Sequence, residues 1–162
     1  MSDVRTSSVQ VTGKKVVARL MPGTDLLAGV LKVCKDNDIT AGCITAMHGS
    51  LSKARFVWAL PAPGTKMNAK YGDPVDIDGP LEFICGSGMI GQFSDTGETA
   101  VHLHGVISDP EQGFHGAHFV EGGNPVMSTM EVLVEGFDNV DILRAFDEET
   151  EFPLFNIYEK GE

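Results

Sequence analysis

Apolar residues along this chain follow two different rhythms. Leu26, Leu27, Val30, Leu31 and Cys34 fall at steps of three and four, which predicts an amphipathic helix over about 24–37 with that stripe laid on a sheet. The Met-Pro-Gly run at 21–23 punctuates the chain before it, Thr24 is the expected N-cap, and Asp25 suits a first helical turn, where the dipole favours an acid. Elsewhere the apolar positions are dense, short-range and rich in β-branched and aromatic residues. They predict strands over 14–20, 39–47, 54–60, 81–93, 99–108 and 127–137. His48-Gly49-Ser50 reads as a short turn joining the second and third of these as an antiparallel pair, and Ser94 to Gly97 as a hairpin turn. Between Pro61 and Pro80 four prolines, three glycines and three aspartates carry no apolar period, the signature of a long loop. Residues 144–154 read as an acidic, irregular end. These elements make an α+β fold, a mainly antiparallel sheet of five or more strands with one flanking helix. Residues 1–162 are expected to form one domain, with its core over about 14–155.

Composition narrows the class. The 162 residues suffice for one ordinary core, and no apolar run approaches the roughly 20 residues of a membrane span. The first ten residues lack the apolar region of a secretion signal, so the expected location is the cytoplasm. Cys34, Cys43 and Cys85 are odd in number and share no close spacing, which predicts reduced, mostly buried thiols rather than a disulfide framework or thiolate site. Trp58 reads as a packing residue. The net charge of −11 is unevenly spread: residues 1–70 hold ten basic and four acidic side chains, residues 71–162 two basic and nineteen acidic. Affinity for nucleic acid comes from cations that displace counterions from phosphates, so this balance disfavours direct DNA binding.

The chemistry is concentrated in HLHGVISDPEQGFHGAH, residues 102–118, which holds four of the five histidines. On a strand over 99–108, His102 and His104 project from the same face, side by side. The following turn-forming segment, with its Asp-Pro and glycines, can fold back and bring His115 or His118 to that pair. Three imidazoles converging on one point suit zinc or a similar divalent ion, and leave a coordination position for water or a small molecule. An acidic surrounding favours a cation. His48 reads as a lone polar residue near a turn. Glu82 and Glu131 lie in otherwise apolar strands, so each needs a partner if it faces inward: Arg19, Arg144, the histidines or a bound cation.

The succession RLMPGTDLL (19–27), MHGSLSKARF (47–56), LEFICGSG, HLHGVISD, GAHFVEG (116–122), MEVLVEG and LRAFDEET (143–150) resembles the plants and prokaryotes conserved domain, the PPC domain, in order and over nearly the whole chain. The resemblance implies a compact α+β domain that forms a homotrimer, with His102, His104 and His118 as ligands of a divalent metal, zinc in type. Glu82 and Glu131 fall on the family's acidic positions; beside a metal acting as Lewis acid or activating a water, either is a candidate proton acceptor or hydrogen-bonding support for a ligand. Where the family commonly has Gly-Gly-His, this chain has Gly116-Ala117-His118, and His115 is an addition to the pattern.

Two functions from different classes follow. One is a trimeric metal protein acting on a small anionic or carbonyl-containing molecule. The other is a DNA- or chromatin-associated oligomerisation module, the label the family carries from plant members joined to AT-hook segments. No Arg-Gly-Arg core or basic tail of that kind is present here. A cupin site fails, because the glutamate needed shortly after the second histidine is replaced by Ser108 and Asp109.

Overall fold

A computed structural model describes residues 5–161. In chain order the elements are β1 (Gly13–Leu20), α1 (Leu26–Asp36), β2 (Gly42–Val57), β3 (Ala59–Pro61), β4 (Ala69–Tyr71), β5 (Val75–Phe93), β6 (Thr99–Ser108), β7 (Phe114–Phe119), β8 (Val126–Phe137), β9 (Val140–Asp147) and β10 (Phe152–Glu159). Eight strands form one sheet in the order β1-β8-β2-β7-β6-β5-β9-β10, antiparallel except where β9 joins β5, and β3 and β4 form a separate hairpin. The expected α+β architecture is present, with the helix on the sheet.

The helix begins one residue later than its sequence suggests. Asp25, not Thr24, is the N-cap; its carboxylate accepts from the backbone N–H groups of Leu27 and Ala28 and, across the fold, from Asn124. Leu26, Leu27, Val30 and Cys34 are buried against the sheet, as their spacing predicts. Asn37 and the left-handed Asp38 end the helix, with the Asn37 amide donating to the Val33 carbonyl. Among the described residues no helix is long and apolar enough to cross a membrane.

β2 is a single sixteen-residue strand, where the sequence suggests two strands and a turn. His48-Gly49-Ser50 is an irregularity inside it: the register against β8 shifts between Gly49 and Leu51, and against β5 between Leu51 and Lys53. Gly49 adopts φ 156°, and a side chain there would meet the Thr129 carbonyl of β8, so only glycine lets the strands approach. Bent in this way, β2 pairs with β8 over its first part and with β7 at Phe56 and Val57. Because β7 also pairs with β6, and β6 with β5, the strands β2, β5, β6 and β7 close into a ring of hydrogen-bonded neighbours.

The ring is filled by Phe56, Phe83, Phe119, Leu103 and Ile107. Each buried side chain of this size contributes roughly 2 kcal/mol. Phe83 packs its ring over the facing glycines Gly86 and Gly105, where a β-carbon at either position would come within 2.7 Å of it.

The remaining differences from expectation are in the proline-rich stretch and at the C-terminal end. The stretch from Pro61 to Pro80 contains β4 and the start of β5. The supposedly irregular end is the hairpin of β9 and β10: Val140 and Ile142 are buried, and acids occupy the turn, where the Asp147 carboxylate accepts from Thr150 and the Glu149 N–H. Cys34 is buried, which pushes its thiol up to about 11, but Cys85 is exposed rather than buried.

Gly105→Ala places a methyl group where the Phe83 ring sits, and is expected to lower stability by about 1–3 kcal/mol, read as a reduced urea midpoint with the slope unchanged.

Candidate metal centre

Along β6 the side chains alternate strictly. Val101, Leu103 and Ile107 enter the core, while His102 and His104 stand on the outer face. Two register relations bring in the third histidine. β7 returns antiparallel to β6 so that His118 lies directly opposite His104, and the same residue pairs with Val57 at the end of β2. The imidazoles of His102, His104 and His118 therefore meet, each able to offer a ring nitrogen within 4.8 Å of the other two.

The facing atoms are closely spaced, with 2.9 Å from His102 Nε2 to His104 Nε2 and 3.2 Å from His104 Nε2 to His118 Nδ1. Two nitrogens on a tetrahedral ion at about 2.05 Å stand about 3.3 Å apart, so these separations suit one shared cation. Hydrogen bonding alone serves the group poorly. A neutral ring nitrogen is either a donor or an acceptor, and His104 Nε2 faces two others at once. The donor set, three imidazoles and no thiolate or carboxylate, fits zinc and neighbouring transition ions better than calcium or magnesium.

The electrostatics keep the lone pairs available. Partial burial is the main influence holding the His102 imidazole below its ordinary value and pushing His118 down to about 4; the neighbouring histidines and Arg144 act in the same direction. Aromatic rings flank the group: Tyr71 from β4 is 5.1 Å from the His118 ring, and Phe155 from β10 lies nearly parallel to His102 at 6.4 Å. A groove of about 640 Å³ opens beside His104 and His118, walled by Val57, Trp58, Tyr71 and Cys85. Trp58 is thus a half-exposed groove wall as well as a packing partner of Phe56.

His115, the competing candidate, is tied elsewhere. Its Nε2 pairs with the Asp109 carboxylate at 2.8 Å, and that carboxylate also accepts from the N–H groups of Glu111 and Gly113. The bond from His115 is the largest cause holding the Asp109 carboxyl below its usual range.

The two glutamates stand apart from the histidines. Glu82 is exposed and lies five positions along β5 from Ser87, the partner of His104, roughly 16 Å at strand rise. Glu131 on β8 faces Arg19 of β1 and His48 of β2, accepts from the Thr129 hydroxyl at 2.7 Å, and has His48 Nε2 at 3.8 Å. His48 is therefore a mid-strand neighbour of Glu131 rather than a lone turn residue. Tyr71, Phe155 and the position of Arg144 are missing from the sequence reading of the site. Their one trace is that Arg144 and Lys160 are the only cations after residue 70.

The family model of the Plants and Prokaryotes Conserved (PCC) domain matches residues 7–138. Solved structures with the same fold include a metal-containing protein from Archaeoglobus fulgidus, at 22% identity and TM-score 0.76 over 94% of this chain and 99% of that one. A plant- and prokaryote-conserved protein from Pyrococcus horikoshii is 20% identical, with TM-score 0.76 over 93% of this chain and 97% of that one. A Bacteroides thetaiotaomicron protein provisionally described as DNA-binding is 18% identical, with TM-score 0.73 over 92% and 96%. No curated protein sequence matches.

The depressed values of His102 and His118 have a consequence for stability. Below the ordinary imidazole value of 6.5 the unfolded chain takes up protons that the folded site resists. Chelator-treated protein should therefore lose stability as pH falls from about 6.5 to about 4. Urea midpoints measured across that window should fall less steeply for His118→Ala than for the parent.

Proposed function

The chain belongs to the Plants and Prokaryotes Conserved domain family, and on that premise we propose that it is a metal-binding protein whose divalent ion, zinc in type, is held by His102, His104 and His118. The observation that carries this reading is the convergence of three imidazole nitrogens, at 2.9 and 3.2 Å, from two strands whose register fixes them. The description of the Archaeoglobus fulgidus protein as metal-containing supports it. A divalent ion held by three imidazoles supplies a Lewis acid and a position for water or a small molecule. The chain's own residues set the conditions there. Burial keeps His118 unprotonated, Tyr71 and Phe155 restrict the rings, and the groove beside Trp58 admits a small molecule.

The reading includes a homotrimer. Val17 on β1 and Ile84 on β5 are exposed and provide apolar surface of the kind a subunit contact covers. The DNA-associated alternative finds less support, since each chain carries −11 and the cations Lys14, Lys15, Lys53 and Arg55 are partly engaged, Lys15 with Glu135 and the last two near Asp76.

Untagged protein purified without chelator should carry about one zinc-type ion per chain by metal analysis, at a solution mass near three times 17.3 kDa. Replacing His102 and His104 together by Ala should abolish stoichiometric metal; full metal content in that variant would refute the site. A duplex DNA shift at micromolar protein and physiological salt would instead favour the alternative.

A further inference from the structure

Arg144 is an unusually placed cation beside this centre. It follows Leu143 on β9, the strand that runs parallel to the end of β5, and its guanidinium carbon lies 5.8 Å from the ring centres of both Phe93 and Phe155. Phe155 in turn stacks on His102. Among the described residues the guanidinium makes no ion pair and no hydrogen bond, although the acids after residue 70 number nineteen. Arg144 and His118 line one groove of about 570 Å³, whose other walls include Leu27, Leu31 and Val101.

A fixed guanidinium beside three imidazoles that would hold a dication is unfavourable on its own, because like charges repel. A carboxylate removes the conflict, since it pairs with a guanidinium through two parallel hydrogen bonds and satisfies its planar fork. The two rings hold that fork in place by cation–π attraction and reduce the entropy lost on pairing. Glu98 and Glu121 also line the groove, so it disfavours a multiply charged anion such as phosphate. The apolar walls suit a hydrocarbon or aromatic body attached to the acid.

Resting on the metal reading above, we propose that Arg144 is an anion-docking residue, and that the ligand of this centre is a small apolar monocarboxylate seated between Arg144 and the three-histidine site. Arg144 positions the carboxylate; His118, shared by the metal centre and the groove, links the two.

The test is calorimetric titration of zinc-loaded protein with benzoate, for the parent, Arg144→Gln and Arg144→Lys, with inorganic phosphate as the comparison anion. Benzoate should bind the parent at least tenfold more tightly than Arg144→Gln, with Arg144→Lys between them, and phosphate should bind the parent more weakly than benzoate. Metal affinity gives a second readout. Without carboxylate, Arg144→Gln should hold zinc severalfold more tightly than the parent, and saturating benzoate should narrow or reverse that order, as linkage requires. Equal benzoate affinity in parent and Arg144→Gln, or no binding to zinc-loaded parent, overturns the proposal. If the parent takes up no zinc, the metal reading fails by itself. The same titration on metal-free protein then decides Arg144: loss of benzoate binding in Arg144→Gln supports anion docking, and no binding to the parent overturns it.

Discussion

The centre depends on one structural relation, the double pairing of β7. This six-residue strand hydrogen-bonds to β6 along its length and to the end of β2 at Phe56 and Val57. The first pairing sets His118 opposite His104; the second closes the ring of strands and fixes the angle at which the two approach. A slip of one residue in either register would send His118 into the core and Phe119 out of it. Because Phe119 is buried against Phe56 and Phe83, hydrophobic packing holds the polar geometry in place. The site's precision is thus a property of the core behind it.

That core has its own requirement, which explains the glycines around the histidines. Phe83 fills the middle of the ring only because Gly86 and Gly105 face each other and leave room for its ring. Gly105 sits between His104 and Val106 and also pairs with Ala117. The methyl group of Ala117 packs on the core from that position, so the departure from the Gly-Gly-His pattern is absorbed inside a strand and leaves His118 in register. Behind β7, the buried Asn124 accepts from the Arg55 N–H, donates to the Val120 carbonyl, and has its own N–H held by Asp25. The helix cap and the loop that follows His118 are therefore one hydrogen-bonded unit.

Much of this is legible in the sequence where a local rhythm determines the structure. The helical stripe from Leu26 to Cys34 and the alternation around His102 and His104 need only nearest-neighbour geometry, and both are found as read. The choice between His115 and His118 needs the register of β7, which depends on where Phe119 is buried and on Asp109 capturing His115; the family pattern, not the spacing, points to His118. His48-Gly49-Ser50 has turn composition but lies within β2, because a glycine that permits a bend and one that permits close approach of a neighbouring strand look alike in sequence. The hairpin of β9 and β10 is obscured by the acids in its turn, although Val140 and Ile142 carry the alternation of a strand. With that hairpin unread, Phe155 and the placement of Arg144 have no local signal.

Long-range and local electrostatics act in opposite senses at the histidines. The nineteen acids after residue 70 give that part of the molecule a negative field, which raises the local concentration of cations and keeps polyanions away. Ionic screening, with a length of about 8 Å at physiological salt, weakens that field without removing it for groups that are partly buried. Close to the rings Arg144 acts in the opposite sense, disfavouring a proton on His102 and His118, and among the described residues no acid forms an ion pair with its guanidinium. A dication attracted by the far field thus meets local repulsion, and a singly charged anion repelled by the far field meets local attraction. Each lowers the barrier for the other. On the metal and anion readings proposed above, this charge pattern would favour the pair over either ion alone, and the same arithmetic disfavours ligands of high negative charge such as duplex DNA.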